Sequence, residues 1–298
     1  MKKILVLKTS TSKNLWNRFI NANRYQNGID ELVVDFSQCS FLEPFYIVQM
    51  ACLIEEYHVQ NVVIIFIASD ALALNEYLSN IQFFNYWEKG FNRTNFQQMR
   101  RMTNLCLWKL HPNMLSPYVA YAQRYFEDNF PVTNQTQFID FQPLYVTLSE
   151  LFNNIIDHST SSVSGFTTCQ FYPQNHKLKI AVCDFGIGIP TLINRFLTQQ
   201  GVQNTSSIEA LKKAFENSFS TKSSPRNKGF GLNTLKTIVK NSNGVLRVIS
   251  NDVMMLMNSH SEEQIFQIKH NFQGTLFEII LDTTTFDVQD NELSDDEF

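Results

Sequence analysis

Residues 148–158, Leu-Ser-Glu-Leu-Phe-Asn-Asn-Ile-Ile-Asp-His, constrain the fold more than any other stretch. At about 100° per residue, Glu150, Asn153, Asn154, Asp157 and His158 share one arc of a helix. Leu148, Leu151, Phe152 and Ile155 take the opposing arc. A helix divided this way lays its apolar side on another layer. Its polar side is then a wetted surface or the floor of a site, and the rest of the chain decides which.

The chain has 298 residues, room for two ordinary domains or one large one. At 44% hydrophobic and 17% charged it has the composition of a folded globular protein. A net charge of -4 gives no sign of a nucleic-acid or anionic-membrane partner. The five cysteines are scattered and odd in number, which reads as reduced thiols in a cytosolic protein. The apolar run in MKKILVLKTS is too short for a signal peptide. No run reaches the roughly 18 apolar residues of a spanning helix. The expectation is a soluble, cytoplasmic protein.

In chain order, 3–8 and Glu31–Phe36 read as strands around a polar helical stretch near Lys13–Tyr25. Pro44 suits the first turn of a helix with an apolar stripe through Phe45, Val48, Cys52 and Ile54. Val62–Ala68 is an unbroken apolar run, expected to be a central strand covered on both faces. Ser69 or Asp70 then caps a helix with Leu72, Leu74 and Leu78. Alternating strands and helices within about 70 residues argue for a small α/β layer domain. Residues 92–101 are polar and basic and read as a connection. After them come a strand at Asn104–Leu110, a helix at Ser116–Asn129, and the divided helix from about Phe138 to Asp157. Phe166–Tyr172 and Lys177–Cys183 form a hairpin across Pro173-Gln174-Asn175. Thr191–Lys228 has little strand pattern, with a helix at Ile208–Asn217 and a Ser/Thr/Lys/Pro loop expected to be a lid or disordered. Val245–Ser250, Gln264–His270 and Thr275–Leu281 read as an antiparallel meander, and Asp287–Phe298 as an acidic, disordered tail.

The stretch VVDFSQCSFLEPFYIVQMACLIEEY resembles the core of STAS-type (anti-anti-sigma-like) domains. That family carries an Asp-Ser-Ser-Gly motif switched by serine phosphorylation. The matching positions here are Glu43-Pro44-Phe45-Tyr46, without the serines, so the resemblance implies the fold and not the switch.

Four motifs stand in order further on: Glu150-x-x-x-Asn154-x-x-Asp157-His158, Asp184-x-Gly186-x-Gly188-Ile189, Gly229-x-Gly231-Leu232 and Gly274-Thr275. A carboxylate such as Asp184 can accept from the exocyclic amine of adenine, and nearby glycines let backbone approach the ring. A glycine-rich helix start offers backbone N–H groups to phosphate. An asparagine oxygen suits Mg²⁺, which takes few protein ligands and keeps waters. Together the motifs resemble the GHKL (Bergerat-fold) ATPases, over about residues 104–282. The resemblance implies an N-terminal STAS-like α/β domain at 1–100, a Bergerat-fold α/β sandwich at 101–285 with an antiparallel or mixed sheet covered on one face by helices, and a tail at 286–298.

It also implies ATP and Mg²⁺ as cofactors, Glu150 as the catalytic base and Asn154 as the metal ligand. Asp184, Gly186, Gly188, Ile189, Lys228, Gly229, Phe230, Gly231, Leu232 and Thr275 would bind nucleotide. Lys222, Arg226 and Lys228 fit a phosphate-touching lid and a solvated loop equally well. Asn153, Asp157 and His158 are read as framework. There is no G-x-x-x-x-G-K-[ST], so no P-loop is indicated. The implied function is a slow, Mg²⁺-dependent ATPase acting as a bacterial signalling regulator through an ATP-gated lid and contacts with a protein partner or a second copy. The alternatives are a serine/threonine kinase resembling the anti-sigma-factor kinases and a nucleotide sensor that does not hydrolyse.

Overall fold

The computed structural model describes residues 1–9, 12–88, 103–132, 137–158, 163, 165–216 and 231–290. The first part runs β1 (Lys2–Val6), α1 (Lys13–Ala22), β2 (Glu31–Asp35), α2 (Pro44–His58), β3 (Val63–Ile67) and α3 (Leu72–Asn80). Next come β4 (Asn104–Lys109), α4 (Leu115–Asn129), β5 (Gln137–Ile139), α5 (Gln142–His158), β6 (Phe166–Tyr172) and β7 (Lys177–Asp184). The chain continues with α6 (Ile189–Gln199), α7 (Ser207–Ala214), α8 (Gly231–Asn241), β8 (Val245–Asn258), β9 (Ser261–Asp282) and β10 (Val288–Asp290).

The first three strands form a parallel sheet in the order β1-β2-β3. Right-handed crossovers between sequential parallel strands put both connecting helices on one face. On the other face Ile4, Val6, Val63, Ile65 and Ile67 are exposed, and Val33 of the central strand between them is buried. Val62–Ala68 is therefore not a covered central strand. It forms the edge strand β3, with Val63 59% exposed.

A second sheet has the order β4-β6-β7-β9-β8, antiparallel throughout. Strand alternation sends Leu178, Ile180 and Val182 of β7 to one side, with Phe277, Ile279 and Leu281 of β9. There they join Tyr118 and Phe126 of α4, Leu148, Leu151, Phe152 and Ile155 of α5, and Leu235 and Val239 of α8. The apolar arc of α5 thus lies on this sheet, and the α/β sandwich expected from the sequence is present. The same alternation sends Ala181, Cys183, Ile249 and Leu276 to the opposite side, into one core with α1 and α2. The layers run parallel sheet, helices, antiparallel sheet, helices.

Enclosure between two sheets explains α2. Twelve of its 15 residues are buried, so the helix is apolar almost all round instead of carrying the one-sided stripe expected. The charged side chains named next are paired, while Trp16 Nε1, Asn17 Oδ1 and Gln49 Oε1 are buried without a partner. Glu278, 2% exposed on β9, takes Lys13 of α1 and Arg247 of β8, and Glu43 takes Lys13 and Lys179. Glu55 accepts from Trp87 Nε1 at 3.0 Å and pairs with Lys109 of β4.

Several expected boundaries shift. The divided helix begins at Gln142, because residues 137–139 form β5. Val288–Asp290 pair with β5 as β10, so the tail is ordered at its start; 291–298 lie outside the described residues. The two late strands of the expected meander are one strand, β9, which forms a long hairpin with β8. Within Thr191–Lys228, read as having little strand pattern and one helix at 208–217, a further helix α6 begins at Ile189, with Pro190 in its first turn and Ile193 and Leu197 buried. The helix expected at 208–217 is α7, Ser207–Ala214.

Candidate nucleotide site

The end of β7 and interior positions of β9 and β8 place one polar row on the α5 side of the antiparallel sheet. Asp184 stands opposite Thr275, and Thr275 opposite Ser250. Their parity matches Val182, Phe277 and Val248, which face the helices. Asp184 ends the apolar run Ile180–Cys183 and is only 3% exposed. Burial pushes its carboxyl up to about 7, while the backbone amides of Gly186 and Thr275 act in the opposite direction. The Gly186 amide donates to Oδ1 at 2.7 Å. Such a carboxyl changes charge readily when a ligand offers it a donor.

The turn after Asp184 is pinned from β8 and β9. The Ile189 amide donates to Ser250 Oγ at 2.8 Å, and Ser250 Oγ lies 3.0 Å from both Gly274 O and Thr275 Oγ1. Ser250 has one hydroxyl hydrogen. When it is given to the Gly274 carbonyl, the Thr275 hydroxyl donates to Ser250 and keeps its lone pairs for a water or ligand. Asn251 Nδ2 donates to Ile187 O at 3.1 Å. Two glycines are needed for this closeness. Gly188, at φ +79°, would place a Cβ 1.8 Å from Asn251 Oδ1. Gly274, at φ +112°, would place one 2.1 Å from the Asp184 carbonyl oxygen.

The α5 helix reaches the same end of β7. A Cβ on Gly165 would lie 2.8 Å from Cys183 O and 3.0 Å from Ile155 Cγ2, so Ile155 packs beside the residue that precedes Asp184. Its neighbour Asn154 is exposed, Glu150 one turn earlier is half-buried, and α8 runs alongside α5. Asn153 is half-buried and Asp157 exposed. The C-terminal half of α5 therefore lies on the helix side of the sheet near the Asp184 end of β7.

Asp184, Gly186, Ile189 and Thr275 form one cluster hydrogen-bonded through Ser250, with Gly188 packed against Asn251. Gly231 and Leu232 open α8, and Leu232 packs on the helix-side core. Lys228, Gly229 and Phe230 lie outside the described residues, as do Lys222 and Arg226. Sequence reasoning missed Ser250 and Asn251. Ser250 continues an ordinary strand run in register with Thr275, and only Asn251, past the register shift and at φ +52°, departs from it to reach the turn.

Residues 139–285 match the family described as histidine kinase-, DNA gyrase B-, and HSP90-like ATPase. The match supports a GHKL ATPase domain in this stretch. It spans α5 through β9 and includes every described residue of the polar row. No curated protein matches the chain. Among the described residues no helix of the GHKL stretch, or of the layers before it, is long and apolar enough to cross a membrane.

Proposed function

We propose that this chain is a cytoplasmic, Mg²⁺-dependent ATPase that works as a regulator. The observation that carries the reading is the buried Asp184 carboxyl, aligned with Thr275 and Ser250 on the α5 side. An adenine amine would donate to Asp184, and Thr275 would take a bridging water. Asn154 presents an exposed amide on the adjoining helix. Among the described residues no group of three His, Cys, Asp or Glu side chains forms a metal cage. A Mg²⁺ ion would accordingly be held by phosphate oxygens, waters and the Asn154 oxygen, the few-ligand pattern this ion prefers. When bound, it would neutralise charge on the phosphates. Glu150, one helical turn before Asn154, would take the proton of the attacking water.

Residues 1–100 form a STAS-like module and 101–285 the GHKL module in this reading, with a protein partner or second copy as the regulated contact. All five cysteines are buried free thiols, which fits a reducing compartment. Incubation with Mg²⁺ and γ-labelled ATP tests the reaction. Wild type should release labelled phosphate slowly, and Glu150→Ala should lose at least about 100-fold in that rate while still binding ATP. Equal release by both proteins would remove Glu150 as the base. Label retained on protein would mean phosphotransfer in place of hydrolysis.

A further inference from the structure

Strand parity places consecutive residues of the Asp184 turn on opposite sides of the sheet. Asp184 faces α5. Phe185 is 2% exposed and belongs to the core shared with α1 and α2. Its ring is held there by two groups. Phe272 of β9 meets it edge-on, with centroids 6.0 Å apart at 73°. The guanidinium of Arg24, just after α1, lies over its face with Cζ 3.9 Å from the centroid.

Arg24 is itself fixed. Its Nε lies 3.0 and 2.8 Å from the two carboxylate oxygens of Glu56 on α2, and its Nη2 lies 2.6 Å from Glu56 Oε1. Glu56 also accepts from the Tyr25 amide at 2.9 Å, and Tyr57 Oη donates to Asn23 O at 2.9 Å. A second contact touches the residue before Asp184: Cys52 Sγ of α2 donates to Cys183 O at 3.4 Å. On the other flank, Gly274 leaves no room for Asp184 to move toward β9.

The geometry points to Arg24 as a positioning residue for the nucleotide site. Its guanidinium holds the Phe185 ring from behind the sheet, and the ring sets the backbone that aims the Asp184 carboxylate. Nucleotide affinity is then linked to the seating of α1 and α2 on the sheet, and by thermodynamic reciprocity nucleotide strengthens that seating. A planar, forked cation is needed, because it must stack on the ring and grip Glu56 at once. This rests on the nucleotide reading for its ligand, but not for its effect on the turn.

The test uses the full chain with Arg24→Gln, Arg24→Lys and Phe185→Leu, and Lys179→Gln as a control that breaks another ion pair of the same layer. Amide exchange at Phe185–Ile187 is read without nucleotide, and ATP and ADP dissociation constants by titration calorimetry. Arg24→Gln should speed exchange in the turn and weaken both nucleotides by roughly three- to tenfold, the range of a partly desolvated cation–π contact. Arg24→Lys should restore little, and Arg24→Gln should add nothing in a Phe185→Leu background. Lys179→Gln should leave turn and affinity unchanged. Wild-type exchange at Phe185–Ile187 in Arg24→Gln would overturn the proposal, as would equal losses in Lys179→Gln. Faster exchange in a protein that binds no ATP at all would overturn the nucleotide reading and leave the Arg24–Phe185 linkage standing.

Discussion

The Asp184 carboxyl makes stability and nucleotide binding depend on pH in a direction opposite to that of most surface acids. Its folded value, pushed up to about 7, lies above the ordinary 3.8. The folded protein holds a proton that the unfolded chain gives up. The contribution to stability is full below about pH 4 and is lost as pH rises through about 7. At about 1.4 kcal/mol per pH unit across that gap, the loss is on the order of 4 kcal/mol.

Asp184→Asn imitates the protonated acid and removes the titration. Denaturant unfolding of both proteins at several pH values from 4 to 8 gives the difference directly. Asp184→Asn should gain on wild type steadily through that window and level off above it. ATP adds a second reading, because an amine donated to the carboxylate favours the charged form. Binding near pH 6 should therefore release close to one proton, visible as a dependence of the calorimetric heat on the buffer's ionisation enthalpy, and Asp184→Asn should not show it. A stability difference that stays flat with pH would refute the reasoning. It would mean that the buried carboxyl is already neutralised by a compensation the geometry does not contain.

Two substitutions test the turn. Gly274→Ala should cost roughly 2–4 kcal/mol in denaturant unfolding and abolish ATP binding, since its Cβ meets the Asp184 carbonyl in a backbone conformation only glycine adopts easily. Normal stability in that variant would place the φ +112° turn elsewhere. Ser250→Ala leaves the Ile189 amide and the Gly274 carbonyl without their partner, at roughly 1–3 kcal/mol, and should weaken ATP binding measured by calorimetry. A variant that binds and unfolds like wild type would detach Ser250 from the site.

Much of this arrangement was legible where a regular period carried it. The two arcs of α5 and the hairpin of β6 and β7 follow from spacing alone, because each element must bury one face or both. Elements ordered by distant partners were harder to read. The helix α6 is a different case: Ile189, Leu192, Ile193, Phe196 and Leu197 recur at the helical period behind Pro190, so its pattern stands in the sequence, in a stretch read only as lacking strands. The β3 run is apolar at every position, which does not distinguish a covered strand from an edge strand with a bare face. Ser250 gains its role from pairing with Thr275 across the sheet, Asn251 from a shift in register, and Arg24 from a ring 161 positions away in sequence. The candidate site was readable as motifs, and its supports were not.

A helix enclosed like α2 has no face on which substitutions pass unnoticed. Cys52 answers to Cys183 of β7, Glu55 to Lys109 of β4, and Glu56 to Arg24 beside α1. A change that suits one sheet must also suit the other, within the packing tolerance of a methylene or so. The two halves of this chain can then diverge only in step. In homologous chains, positions on α2 should vary together with positions on β4, β6 and β7, and the parallel-sheet half and the antiparallel-sheet half should not be exchangeable between distant relatives one at a time. Their history would be that of a single inherited unit.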